Sequence, residues 1–206
     1  MHISWLGQTA IKLQTKYLDE DVVLVIDAYK PATGDFPRSL SPSIALFSRG
    51  LEGSVVATAQ KPFILDTLGE CEIKEVMITS YPGEEGNLIF KVNAEQMNLV
   101  HLGALHKKPD MAELEKIGAV DILFVPVGGG EQYLSPEDAS DLVTALEPRL
   151  VIPIGYHCDS DPKAKPVADF IKELGLKPDT TDKKIIIKKK DLPQEDMKLM
   201  ILEKNI

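Results

Sequence analysis

Four histidines are the residues of this chain best suited to metal binding or to acid–base chemistry near neutral pH: His2, His101, His106 and His157. Imidazole is a common zinc ligand, and a hydrolytic zinc site often takes two imidazoles from one H-x-H turn. No histidine lies between His2 and His101, so the intervening chain cannot supply such a turn. An ordinary role is favoured for three of them: a strand start for His2, a hydrogen bond at a strand end for His101, and a surface loop for His106.

His157 is the strongest functional candidate of the four, because Tyr156 precedes it and Cys158 and Asp159 follow it. Adjacent residues of an extended segment point to opposite faces, so these neighbours rarely converge on one ion. A loop histidine is therefore favoured over a ligand. A less favoured alternative is a relocated metal site formed by Asp27, Glu52, His101 and His157. The carboxylates of such a site would suit Mg, Ca or Mn better than Zn.

Two other patterns could carry chemistry without a metal. Ser48 could act as a nucleophile if His101 or His157 approached it, but the chain has no G-x-S-x-G turn to activate it. The glycines at residues 128–130 follow a predicted strand and could cradle a phosphate with backbone N–H groups. A lone GGG run is weak evidence, and a structural turn is the favoured interpretation.

Composition narrows the class of protein. The 206 residues are 44% apolar and 27% charged, which is typical of one globular domain, expected here over residues 1–206. The net charge of −9 disfavours binding to nucleic acid or to an anionic membrane, since both require a basic surface. Neither a signal peptide nor an apolar run long enough to span a membrane is visible, so we expect a cytoplasmic protein.

The hydrophobic pattern predicts a mixed α/β fold with many short strands. Strands are predicted at residues 2–6, 10–15, 22–27, 44–48, 55–58, 63–65, 72–79, 88–92, 99–102, 122–125, 151–154, 185–189 and 198–202. Three helices are predicted, at residues 110–117, 136–146 and 163–174. Ser135 and Pro136 are typical of the start of the second helix, and Gly175 is typical of the end of the third.

Four segments in order carry a resemblance to a known family: MHISWLGQT, NLVHLGALH, VDILFVPVGGGEQY and RLVIPIGY. Together they resemble the metallo-β-lactamase superfamily, in its branch of small metal-dependent hydrolases similar to ascorbate-phosphate lactonase. The resemblance implies a four-layered αββα sandwich, in which two mixed β-sheets pack together with helices outside. It also implies one or two zinc-like ions that activate a water molecule for hydrolysis.

The metal ligands of that family are a Gly-His pair, an H-x-H-x-D-H turn, the Asp of HLGD and the His of P-x-H-Y. By the resemblance, these positions fall on side chains that bind zinc poorly or not at all: Gln8, Ser48, Gly50, Glu52, Gly53, Ala104 and Gly155. The acid of the turn persists only as Glu52. The resemblance further suggests five pocket residues: Asp27, His101, Gly129, Tyr156 and His157.

These observations favour a protein that keeps the fold and has lost the metal-binding hydrolase site, with a binding or structural role and no expected cofactor. The alternative is a hydrolase of an ester, lactone or phosphoester with an altered metal site, which would use Zn or Mn. The partner would be an unknown small molecule or protein. Two kinds of assembly stay open: a homo-oligomer, and a complex whose other subunit supplies the chemistry.

Overall fold

Two β-sheets face each other across a shared apolar core in the computed structural model, which describes residues 1–37, 40–55, 61–180 and 183–205. The strands are β1 (His2–Gly7), β2 (Ala10–Tyr17), β3 (Glu20–Ile26), β4 (Ile44–Leu46), β5 (Phe63–Leu65), β6 (Gly69–Ile73), β7 (Val76–Pro82), β8 (Leu88–Ala94), β9 (Met97–His101), β10 (Ile122–Pro126), β11 (Leu150–Ile154), β12 (Pro178–Thr180), β13 (Ile185–Ile186) and β14 (Lys198–Ile201). The helices are α1 (Met111–Glu115), α2 (Pro136–Leu146) and α3 (Ala168–Leu174).

The smaller sheet has the strand order β13-β1-β2-β3-β4-β5. The first four of these strands are antiparallel to one another, whereas β3, β4 and β5 run parallel. Side chains on these strands alternate between two apolar clusters, as the two-residue period of a strand requires. In β3, Leu24 and Ile26 face the shared core, whereas Val25 faces a second cluster with Tyr29, Phe36 and Leu40 from the segment after β3.

The larger sheet has the order β12-β14-β11-β10-β9-β8-β7-β6. It is antiparallel from β6 to β9 and parallel from β9 to β12. The central strands β10 and β11 are buried along their whole length, because the other sheet covers one face and helices cover the other. Helix α2 packs on β10 and on α3.

Helix α2 begins and ends as the sequence predicts. The Ser135 side chain accepts a hydrogen bond from the Asp138 backbone N–H, and Pro136 occupies the first helical turn. Helix α1 is similarly capped by Asp110. Helix α3 ends at Gly175, which has a left-handed φ of 70°.

Three predicted elements differ from the structure. Residues 72–79 are a hairpin rather than one strand, because Lys74 and Glu75 both adopt positive φ values, of 51° and 61°. The third helix is shorter than predicted and starts after Pro166, since a proline disfavours helical backbone at the residue before it. The strand expected at 185–189 ends at Ile186, and a 3₁₀ turn, Lys189–Asp191, follows it.

The strand predicted at 55–58 falls largely outside the described residues. The single domain expected over residues 1–206 stays a prediction. Within the described parts of the chain, no helix has both the length and the apolar composition needed to cross a membrane.

Candidate functional site

A cavity of about 260 Å³ opens where β3 and β4 end and the loop after β9 approaches them. Because β3 and β4 are parallel, the residues that follow them emerge at the same sheet edge. Six of the seven positions that the resemblance assigns to lost metal ligands line this cavity: Gln8, Ser48, Gly50, Glu52, Gly53 and Ala104. Asp27 lines it as well. The sequence-derived set therefore converges in space, although its members are far apart in the chain.

Asp27 and Ser48 join the ends of β3 and β4 inside the cavity. One carboxylate oxygen of Asp27 accepts the Ser48 backbone N–H at 2.7 Å, and the other accepts the Ser48 hydroxyl at 2.8 Å. Ser48 is 1% exposed. Both oxygens of this carboxylate are thus engaged by short, charge-assisted hydrogen bonds.

His101 lies buried behind the cavity wall and does not line it. Its Nε2 is 2.8 Å from the Thr9 carbonyl oxygen, and its Nδ1 accepts the Gly103 backbone N–H at 3.0 Å. Burial lowers the pKa of this imidazole, opposed by the Asp27 charge and by the Thr9 carbonyl. These contacts describe a neutral imidazole that donates from Nε2, and both its ring nitrogens are used within the protein.

The loop after β9 is held against Ser48 by Asn87. The Asn87 amide accepts the Ala104 backbone N–H at 2.9 Å and donates to the Leu102 carbonyl at 3.1 Å. Gly103 has a φ of +65°, and a Cβ on it would lie 2.7 Å from the Ser48 Cβ. Glycine is therefore required where this loop meets Ser48.

Arg49, next to Ser48, ties three loops together. Its Nη2 donates to the carbonyl oxygens of Ala104, in the loop after β9, and of Gln132, in the loop after β10. Arg49 itself lies in the loop after β4 and lines the cavity. The guanidinium thus joins the loop after β4 to the loops after β9 and β10.

Gly155, the seventh predicted position, lies beside the cavity rather than in its lining. Its backbone N–H donates to the Gln8 carbonyl at 2.7 Å. Its φ is +63°, and a Cβ built on it would lie 2.9 Å from two ring carbons of Tyr133. The Tyr133 ring therefore fills the space that a side chain at position 155 would enter.

A buried network of hydroxyl groups supports the same wall. The Tyr133 hydroxyl donates to Asp161 at 2.7 Å, and the hydroxyls of Tyr29 and Ser160 are 2.5 Å apart. The Gln8 amide donates to the Ser160 carbonyl at 3.1 Å. Burial raises the pKa of both tyrosine hydroxyls far above the usual range. These tyrosines are consequently neutral hydrogen-bonding groups at any pH at which the protein would work.

Three residues that were predicted to line the pocket lie outside the cavity lining. Tyr156 is a core residue, because its ring stacks on Trp5 with centroids 4.3 Å apart and its hydroxyl donates to the Leu202 carbonyl. His157 is exposed and does not line the cavity. Gly129 lines a separate depression, which lies along Lys163.

The described side chains do not fit the zinc-like ions implied by the resemblance. Among residues 1–37, 40–55, 61–180 and 183–205, no three His, Cys, Asp or Glu side chains come together closely enough to hold a metal ion. The relocated set does not converge either, since Asp27 and Glu52 line the cavity whereas both nitrogens of His101 are occupied and His157 does not line it.

Sequence reasoning did not identify Lys30, Arg49, Asn87 or Tyr133 as members of the site. The only local signal was for Arg49, an arginine in the turn that follows a buried strand and precedes two glycines. Lys30, which lines the cavity, and Asn87 carry no local pattern, and Tyr133 ends the quoted PVGGGEQY segment without a role that the segment predicted.

Comparison with known proteins places the chain in a family. A profile described as the β-lactamase superfamily domain matches residues 2–155. A UPF0173 protein of Pyrococcus furiosus is 30% identical over 109 residues, which are 52% of this chain and 47% of that protein. A UPF0173 metal-dependent hydrolase of Enterococcus faecalis is 34% identical over 87 residues, which are 42% of this chain and 36% of that protein. The chain thus spans less than half the length of these relatives in the matched regions.

A solved structure from Thermotoga maritima resembles nearly the whole chain. That protein, described as a candidate Zn-dependent hydrolase of the metallo-β-lactamase superfamily, superposes with a TM-score of 0.81 at 22% identity, covering 98% of each chain. The likeness confirms the metallo-β-lactamase sandwich predicted from the sequence, with its two mixed sheets. The profile matches residues 2–155, which are most of this chain, and the chain therefore belongs to the β-lactamase superfamily domain family.

Proposed function

We propose that this protein is a non-catalytic member of its family, which has lost the metal-binding hydrolase site and uses the remaining cavity to bind a partner. The observation that carries the proposal is the side-chain chemistry of the cavity. The positions assigned to metal ligands converge there, but they carry an amide, a hydroxyl, a methyl group and two glycines, with Glu52 as the single acid.

The two groups that could otherwise anchor a metal support the same conclusion. The Asp27 carboxylate accepts two hydrogen bonds from Ser48, and the His101 imidazole is buried with both nitrogens engaged. Recruiting either group to an ion would break bonds that hold β3 to β4 or the loop after β9 in place. The free energy of metal binding would have to exceed that loss.

The alternative is a metal-dependent hydrolase of an ester, lactone or phosphoester, with Zn or Mn at an altered site. The observation that favours it is the name of the relatives in Enterococcus faecalis and Lysinibacillus sphaericus, each called a metal-dependent hydrolase. Asp27 and Glu52 would then be the expected first ligands, since both line the cavity. Additional donors would come from water or from a rearranged loop.

The deciding experiment measures metal content by plasma mass spectrometry on purified protein, before and after incubation with Zn and with Mn. We expect less than about a tenth of an equivalent in each case, with no hydrolysis of generic esters or phosphodiesters above the rate without protein. Metal near one equivalent together with metal-dependent hydrolysis would overturn the proposal.

Two variants locate any metal that does bind. Asp27→Asn removes a cavity carboxylate, whereas His157→Gln removes an exposed imidazole outside the cavity. Loss of metal in Asp27→Asn alone would establish an altered site in the cavity. Loss in His157→Gln alone would identify surface binding, which leaves the proposal intact.

The proposal includes a cytoplasmic location and a small molecule or protein as the partner, with no role for nucleic acid or membrane. Self-association is a further possibility, which sedimentation of the purified protein would test. Co-purification would reveal a second subunit that supplies chemistry.

A further inference from the structure

We propose that the cavity binds a small oxyanion, a carboxylate or a phosphate, with the Arg49 guanidinium as its main cationic contact. This inference rests on the proposed function, because it assumes that no metal ion occupies the cavity. It deepens that function by naming the chemical class of the ligand.

Arg49 is an exposed side chain that two backbone carbonyl groups hold through one nitrogen. Both of its bonds, to the Ala104 and Gln132 carbonyl oxygens, use Nη2. Its Nε and Nη1 make no hydrogen bond to the described residues. No carboxylate oxygen of a described residue lies within 4.0 Å of a guanidinium nitrogen, so Arg49 forms no ion pair with them. The Nε and Nη1 donors are therefore available to a ligand, and the planar fork of a guanidinium suits oxyanions.

A second cation, Lys30, lines the same cavity. Its backbone N–H donates to the Gly53 carbonyl at 3.1 Å, which fixes its main chain beside the loop after β4. Its ammonium makes no ion pair within the described chain. Two exposed cations, Arg49 and Lys30, therefore line one cavity without an ion-pair partner in the described chain.

Two carboxylates in the cavity oppose these cations unequally. Asp27 directs its charge to the Ser48 N–H and hydroxyl, which stabilise that charge locally. Glu52 is exposed and makes no ion pair with a described residue, so water screens much of its charge. The electrostatic potential near Arg49 is therefore less negative than two unpaired carboxylates would make it.

The loop that carries Arg49 also offers backbone donors. The backbone N–H groups of residues 51 to 53 donate to no acceptor in the described chain, whereas the Ser48 and Ser54 N–H groups do. Gly50 and Gly53 have positive φ values, of 77° and 73°, and nothing approaches the space where a Cβ would lie. Consecutive backbone N–H groups without an acceptor in the described chain can contribute to oxyanion binding.

The cavity size limits the ligand to a compact molecule. A volume of about 260 Å³ is below the range of typical drug-sized sites. Inorganic phosphate and a short dicarboxylate are therefore suitable probes, and they separate phosphate from carboxylate recognition.

The test is a ligand titration of isotope-labelled, chelator-treated protein, in which the backbone amide signals are monitored by NMR. The probes are inorganic phosphate and malonate, each compared with sodium chloride at equal ionic strength. We expect saturable shifts at residues 48–54 and 104, with a dissociation constant in the millimolar range or tighter for one of the probes. The probe that binds more tightly identifies the class of oxyanion.

Arg49→Gln is expected to weaken binding by about ten-fold or more, equivalent to about 1.4 kcal/mol. Arg149→Gln is the matched control, since Arg149 pairs with Asp121 on another part of the protein and its loss changes the net charge equally. Glu52→Gln should tighten binding by up to about five-fold, because it removes an exposed like charge. If Arg49→Gln does not fold, Lys30→Gln provides the comparison with Arg149→Gln, since both remove one positive charge.

Each outcome decides between the two proposals. Shifts no larger than those from sodium chloride, or equal affinity in Arg49→Gln and wild type, would overturn the oxyanion site and leave the non-catalytic role standing. Binding that disappears with chelator and returns with Zn would overturn both. Saturable binding after chelation, weakened in Arg49→Gln but not in Arg149→Gln, supports both.

Discussion

Replacing Ser48 with alanine tests whether the bond between Ser48 and Asp27 holds the cavity in place. The substitution removes one hydroxyl donor, at 2.8 Å from the Asp27 carboxylate, and keeps the Ser48 backbone N–H bond at 2.7 Å. Ser48 is 1% exposed, so water cannot replace the hydroxyl at its own position. Asp27 is half-buried and faces the cavity, from which water can reach it.

The magnitude follows from these two degrees of burial. A hydrogen bond to a charged group contributes about 1.5–3 kcal/mol. Since water in the cavity can partly replace the lost donor, we expect the lower end, about 1.5 kcal/mol. For a chain of this length that loss lowers the Tm by roughly 3–6 °C.

The assay is thermal unfolding with urea unfolding as a second measure. Ser54→Ala is the control, because the Ser54 hydroxyl donates to the Leu51 carbonyl at an exposed position. That change should cost less than about 0.5 kcal/mol. If Ser48→Ala is as stable as Ser54→Ala, the bond between Asp27 and Ser48 does not stabilise the sheet edge, and the argument that Asp27 is structurally committed fails.

Three other substitutions test the structure around the cavity. Gly155→Ala should lower the free energy of unfolding by at least about 2 kcal/mol, because it adds backbone strain and a contact with the Tyr133 ring. Gly86→Ala is the control, since Gly86 also has a positive φ but open space around it. It should cost about half as much in the same unfolding assay. Burial lowers the pKa of His101 below its ordinary value of 6.5, so the unfolded chain binds a proton that the folded chain excludes. Stability should therefore fall below about pH 6.5, by at most about 1.4 kcal/mol per pH unit. Urea unfolding of His101→Gln should show a shallower dependence, and an unchanged slope would contradict this assignment. Ser135→Ala should cost about 1 kcal/mol by losing the cap of α2, and no change in Tm would mean that this cap is not stabilising.

Local patterns predicted the elements whose boundaries depend on nearby residues. Helix α2 has the predicted bounds because Ser135 and Pro136 specify its first turn. The hairpin at Lys74 and Glu75 was missed because neither is a glycine, although both adopt positive φ. Its turn is formed because β6 and β7 pair within the larger sheet, and that pairing is not visible in the local sequence.

The positions of the cavity were predictable, but their contacts were not. The resemblance assigned Gln8, Ser48 and Ala104 to one site, and the structure places all three in the lining of one cavity. That this cavity is a former metal site stays a prediction. The role of Arg49 depends on carbonyl groups 55 and 83 residues away in the chain. No spacing rule within the sequence connects such groups.

The sequence by itself determined the fold family and the lack of any histidine between His2 and His101, because motifs and residue types are properties of the chain. Only the tertiary structure decided that Asp27 and His101 are engaged by protein partners, that Tyr133 fills the space beside Gly155, and that Arg49 reaches three loops. Those facts depend on distances between segments that are remote in the chain, and packing of the two sheets sets those distances.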